Sequence, residues 1–171
     1  MIHHLPERLD LLATAEAGRT QQGCIPVARL ERVVSALASN EGDLQVALEL
    51  GKDPAGIRYL AGPIEGEVML KCQRCLEPVS RKLDLKFRLG LVRDETLASS
   101  LPERYEALIV TGEPSSIADI VSDEVLLALP LVPLHAEDDS DCREFLKDYQ
   151  PGDEARESPF AVLAGLKQKQ P

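Results

Sequence analysis

The chain has no tryptophan, and only three phenylalanines, three tyrosines and two methionines among 171 residues. A protein that grips single-stranded nucleic acid by stacking successive bases on aromatic rings needs a richer supply, which argues against that class. Bases are scarce as well: 19 Lys and Arg stand against 29 Asp and Glu, a net charge of −10. That balance argues against nonspecific nucleic-acid binding by the whole molecule. No stretch approaches the ~18 apolar residues of a membrane-spanning helix, so no membrane partner is expected. Met1-Ile-His-His-Leu-Pro-Glu-Arg8 has no charged region followed by an apolar one, so no secretory signal is read there and the cytoplasm is the default.

Arrangements for catalysis are missing too. Gly51, Gly56, Gly62 and Gly66 lie among strand-like segments, without the strand-to-helix context of a phosphate-binding loop. His3, His4 and His135 have no nucleophile arranged beside them, and Asp123-Glu124 reads as capping or surface charge rather than an acid–base pair. The expectation is a protein that is not an enzyme.

What the chain does have is an uneven distribution of charge. From Lys71 to Arg93 there are seven bases and two acids, although the whole chain is acidic. At physiological salt the screening length is about 8 Å, so such a patch can act locally. In the same stretch sits the pair Cys72-Gln-Arg-Cys75. Four cysteines without a secretory signal point to reduced thiols or metal ligands rather than a disulfide framework.

Residues 1–25 show no clear period. Val27, Leu30, Val33, Val34 and Leu37 recur at helical spacing after Pro26, predicting one helix packed on a sheet. Leu44, Val46, Leu48 and Leu50 alternate with other residues, the pattern of a half-buried strand, and Lys52-Asp-Pro-Ala-Gly56 is turn chemistry. Two more strands follow. Ile64, Gly66, Val68, Leu70 and Cys72 share one face of the first; Leu83, Leu85, Phe87, Leu89 and Leu91 share one face of the second, with Lys82, Asp84, Lys86 and Arg88 opposite. Tyr105–Val110 reads as a short strand. Ser116 then caps a largely buried helix that Pro130 ends. Glu137–Glu157 carries nine acids and three bases and reads as a mobile acidic linker. Phe160, Leu163 and Leu166 follow in an apolar, then basic, tail, spaced to form one face of a docking helix.

The expected architecture is therefore α+β, a single domain. A mainly antiparallel, meander-like sheet is covered on one face by two or three helices. Its boundaries fall at 1–136 for the domain, 137–157 for the linker and 158–171 for the tail.

Cys72 and Cys75 between two strands resemble half of a zinc site, and His135 with Cys142 would complete a Cys3His set. Packed, unliganded thiols are the competing reading. A redox pair is a third, with less support because nothing after Cys75 reads as a helix. Cys24 reads as an incidental thiol.

Three strings resemble the YceD family, which is named for large ribosomal RNA subunit accumulation. They are Leu70-Lys-Cys-Gln-Arg-Cys-Leu-Glu-Pro78, the run from Asp123 to His135, and the run from Ser158 to Lys167, in that order. Gly23-Cys-Ile-Pro26 and the Leu30-Glu-Arg-Val-Val34 segment also fit its layout. The resemblance implies a bacterial cytoplasmic protein, with plastid counterparts, that supports synthesis, processing or stability of 23S rRNA. It also implies genes that commonly lie beside one for a large-subunit ribosomal protein. Cys72, Cys75, His135 and Cys142 match positions recurring in the family, whereas Cys24 does not, and Leu76 stands where the family often has Gly.

Two modes of action follow. In the first, Lys71, Arg74, Lys82, Lys86 and Arg88 contact 23S rRNA or a large-subunit precursor by neutralising phosphates. In the second, the acidic linker and tail chaperone a basic large-subunit ribosomal protein.

Overall fold

The computed structural model describes residues 5–147, with side chains described through Phe145. The chain divides into two units after His135. The first unit opens with a two-residue strand, β1 (Arg8–Leu9), and a helix, α1 (Leu11–Glu16). Asp10 starts that helix because its carboxylate accepts the Ala13 N–H at 2.9 Å. Strand β2 (Thr20–Pro26) follows. The segment that reads as aperiodic in the sequence thus holds three elements, each too short or too polar to show a period.

The single helix expected over 27–37 is instead a 3₁₀ turn, Val27–Arg29, and one α-helical turn, α2 (Glu31–Val34). Leu30 joins them at φ −94°, ψ 67°, outside the helical region. The break costs no burial: Val27, Leu30 and Val33 are all fully enclosed.

Three long strands come next: β3 (Asp43–Lys52), β4 (Arg58–Lys71) and β5 (Pro78–Val92). The short helix α3 (Glu95–Ala98) leads to β6 (Glu106–Ile109). These form one five-stranded sheet in the order β2-β3-β4-β5-β6. Neighbours are antiparallel except that β6 runs parallel to β5, with Leu91 opposite Leu108. The α+β class and the mostly antiparallel sheet agree with the sequence pattern; only the last strand departs from a meander.

Strand β7 (Ser115–Ser116) pairs with β1 and opens α4 (Ile117–Ala128). Ser116 caps this helix through the Asp119 N–H at 3.2 Å, as expected. Its Ile117, Val121 and Val125 join Leu60, Ile64, Val68 and Leu70 of β4 in one core, with Leu83 and Leu89 from β5. Each fully buried side chain of this size contributes about 1.5–3 kcal/mol. Gly62 lies on the same face of β4, and a Cβ there would overlap the Ala47 carbonyl oxygen of β3. The two backbones can approach that closely only because the side chain is absent.

Of the second unit, the described part contains α5 (Ser140–Lys147), a helix inside the acidic stretch that composition alone reads as linker. Phe160, Leu163 and Leu166 lie outside the described residues.

Candidate metal centre and the basic strip

The Cys-x-x-Cys pair occupies the loop between β4 and β5. The loop folds back on itself: Cys72 N–H donates to the Glu77 carbonyl at 3.0 Å, and Leu76 N–H to the Cys72 carbonyl at 2.9 Å. Leu76 adopts φ 66°, the left-handed region that a leucine enters at a cost of roughly 1–2 kcal/mol. The turn gathers amides around sulfur, and Arg74 N–H lies 3.4 Å from Cys72 Sγ.

The segment after α4 is tied to this loop. Gln73 N–H donates to the Pro133 carbonyl at 2.9 Å, and the Arg74 guanidinium to the His135 carbonyl at 3.3 Å. His135 is thereby held with Nδ1 3.3 Å from Cys75 Sγ and Nε2 3.1 Å from the Pro78 carbonyl oxygen. A carbonyl can only accept, so Nε2 carries the hydrogen and Nδ1 turns its lone pair toward the sulfur. This is the arrangement by which an outer partner fixes the tautomer of a metal-binding histidine.

Cys72 is fully buried, Cys75 is 5% exposed and Cys142, on α5, is 1% exposed. Burial alone would raise the Cys72 thiol. The backbone N–H groups of Cys75, His135 and Arg74 outweigh it and lower the pKa from 9.0 to about 5. The sulfur is then a thiolate at neutral pH, the form that binds metals. One ligand atom from each of Cys72, Cys75, His135 and Cys142 lies within 4.8 Å of all the others. These four residues could hold a metal ion, as their types suggest.

The register of β4 and β5 decides what the basic strip looks like. Lys71, Lys82, Lys86 and Arg88 are exposed and share the sheet face opposite the core. Their cross-strand neighbours differ. Lys82 lies opposite Glu67, and between Lys82 and Lys86 comes Asp84, opposite Glu65. Lys86 and Arg88 lie opposite Pro63 and Ala61, which carry no charge. The Arg88 guanidinium stands over two rings, 5.3 Å from the Tyr59 centroid and 5.8 Å from that of Tyr105. Arg74 is half-buried in the loop, not on this face. The structure thus brings four of the five candidate bases onto one face, and Glu49, Glu103, Glu106 and Glu124 line the same hollow as Lys86 and Arg88. The interleaving of Glu65 and Glu67 depends on strand pairing, which residue spacing within β5 does not reveal.

Comparison with known proteins agrees with the loop and the segments around it. Residues 60–167 match the family described as "Large ribosomal RNA subunit accumulation protein YceD". The chain belongs to the YceD family. A protein of that name from Haemophilus influenzae is 35% identical over 170 residues, covering 96% of this chain and 97% of the relative. No solved structure matches. The family is named for accumulation of the large ribosomal RNA. Among the described residues, no helix is long and apolar enough to cross a membrane.

Proposed function

We propose that this protein is a non-enzymatic factor of the cytoplasm that supports accumulation of 23S rRNA, and that it acts by contacting rRNA or a large-subunit precursor through the open face of β5. Membership of the YceD family supports the first part. The observation that carries the second is the shared face of Lys71, Lys82, Lys86 and Arg88, with uncharged Pro63 and Ala61 beside the last two. Phosphates laid along this strip displace counterions, and each contact adds to affinity and to its salt dependence. The Tyr rings beneath Arg88 hold its guanidinium in place, which reduces the side-chain entropy lost on binding.

In the same reading, Cys72, Cys75, His135 and Cys142 hold one zinc ion. Three sulfurs and one imidazole form a closed structural set with no position left for substrate. The residues' task there is to pin the loop between β4 and β5 to the chain that follows α4.

A second reading is favoured by one observation, the acids Glu65, Glu67 and Asp84 interleaved with the bases. An acidic chaperone that holds a basic large-subunit ribosomal protein would present such carboxylates. Crosslinking in growing cells, comparing the native chain with the Lys82→Glu/Lys86→Glu/Arg88→Glu variant, separates the two. Loss of RNA crosslinks with the fold intact supports rRNA contact. Unchanged RNA crosslinks, or a ribosomal protein as the direct contact, sinks it.

A further inference from the structure

Apolar side chains crowd the surface where α4 ends. Leu131 is 100% exposed, Val132 59% and Leu134 46%, three large apolar residues in four positions. Leu76, in the loop to which this segment is bonded, is 55% exposed. Scattered exposed leucines are ordinary, but a contiguous group is not. Leu76 adds a separate liability, since it holds a strained φ of 66° that glycine would adopt freely.

The segment is also stiff. Pro130 and Pro133 fix two φ angles, and the Gln73 and Arg74 bonds to the Pro133 and His135 carbonyls anchor the chain at its far end. A hollow of about 180 Å³ opens beside it, lined by Val79, Arg81, Pro130, Val132 and Leu134. A backbone already fixed beside a preformed hollow loses little freedom when something docks on it.

The charge beside this hollow names the occupant's chemistry. Arg81 lies on its wall and Arg74 in the adjoining loop, and neither is in an ion pair among the described residues. The two guanidinium groups put positive charge directly beside the apolar ridge. We infer that Leu76, Leu131, Val132 and Leu134 form a docking surface for a partner protein's acidic amphipathic segment. That segment's apolar residues cover the ridge while its carboxylates meet Arg81 and Arg74. A phosphate backbone would leave the leucines in water, which favours protein over RNA here. Arg81 pairs across the strands with buried Val68, on the opposite side of β5 from Lys82, Lys86 and Arg88. The surface is therefore distinct from the strip assigned to rRNA and does not depend on that assignment.

A displayed library of random 12-residue peptides, selected on the full-length protein purified without chelator, tests this. Recovered peptides should combine apolar residues at helical spacing with Asp or Glu. Leu131→Asp, at a side chain that touches no core, should weaken them at least tenfold without changing the melting temperature. Arg81→Glu should weaken the acidic peptides at least tenfold and strengthen versions carrying Lys in place of the acids. The Lys82→Glu/Lys86→Glu/Arg88→Glu variant should bind the peptides like the native chain, even if it no longer binds RNA. Any of these results overturns the inference: no peptides recovered, basic peptides recovered, peptides indifferent to Leu131→Asp, or polyuridine RNA binding lost in Leu131→Asp. A dimer that becomes a monomer in Leu131→Asp also overturns it, because the ridge would then serve a second copy of this chain.

Discussion

His135 Nδ1 stands 3.3 Å from the sulfur of Cys75, sixty residues earlier in the chain. Neither group would be placed there by packing alone, because the imidazole is held from its other side by the Pro78 carbonyl at 3.1 Å. The strand loop and the segment after α4 therefore meet through side chains that donate or accept in fixed directions. A metal ion between them would take the place of that contact and strengthen it.

Protein purified under reducing conditions without chelator should carry one equivalent of zinc, read by elemental analysis. His135→Ala and Cys75→Ser should each lose most of it, and chelation of the native protein should lower its melting temperature. Native protein with no bound metal would leave the thiols as packing groups.

Each base of the strip should add to the salt dependence of binding. Lys86→Gln should flatten the dependence of log affinity for 23S rRNA on log salt by about 0.7–0.9. Lys82→Gln should flatten it as well, since acids stand near both lysines, Glu67 across the strands from Lys82 and Glu103 and Glu106 around the hollow of Lys86. Slopes unchanged in both variants would show that this face does not meet phosphate.

Gly62→Ala should destabilise the first unit by about 1–3 kcal/mol or more, since the new Cβ overlaps the Ala47 carbonyl and the strands must separate. Denaturant melts of the variant, compared with Gly56→Ala, check this. A Cβ on Gly56 meets nothing within 4 Å, so that change carries only the penalty of its positive φ of 84°.

Asp53 supplies a pH signature. Its side chain is only 8% exposed and accepts from the Arg104 guanidinium at 2.8 Å, the Tyr105 hydroxyl at 3.0 Å and the Ile57 N–H at 2.9 Å. Burial pushes the carboxyl up, but these bonds together hold it below its ordinary 3.8. A depressed folded value means the stabilisation is full above about pH 4 and is lost as pH falls through the lowered value. Asp53→Asn should melt at a lower temperature than the native chain at pH 7, and the gap should close toward pH 2. A gap that stays constant with pH would show that the ionised carboxylate is not what stabilises this corner.

Legibility in the sequence followed the strength of each periodic signal. β3 was plain because Leu44, Val46, Leu48 and Leu50 are all buried on one face. β2 was not, because Thr20-Gln-Gln-Gly-Cys24 is an edge strand with few apolar residues to alternate. The stripe from Val27 to Val33 was read correctly as buried but wrongly as one helix, since the residue that breaks it, Leu30, is itself apolar and enclosed. The direction of β6 could not be read from Glu106–Ile109, because alternation says which face is buried and not which way the neighbour runs. The cysteines and His135 were legible from residue type alone. Their approach was not, as it depends on the carbonyls of Pro78 and Pro133, which any residue would supply.

The pairing of β1 with β7 imposes an order on how the chain completes itself during synthesis. Arg8 donates its guanidinium to the Pro114 carbonyl, 106 residues downstream, and Leu9 pairs with Ser115. Translation at about 5–20 residues per second delays that partner by roughly 5–20 s. The hairpins joining β2, β3, β4 and β5 link consecutive strands, so they can close during this interval. The amino-terminal strand must wait, unpaired, until the sheet it will flank is already made.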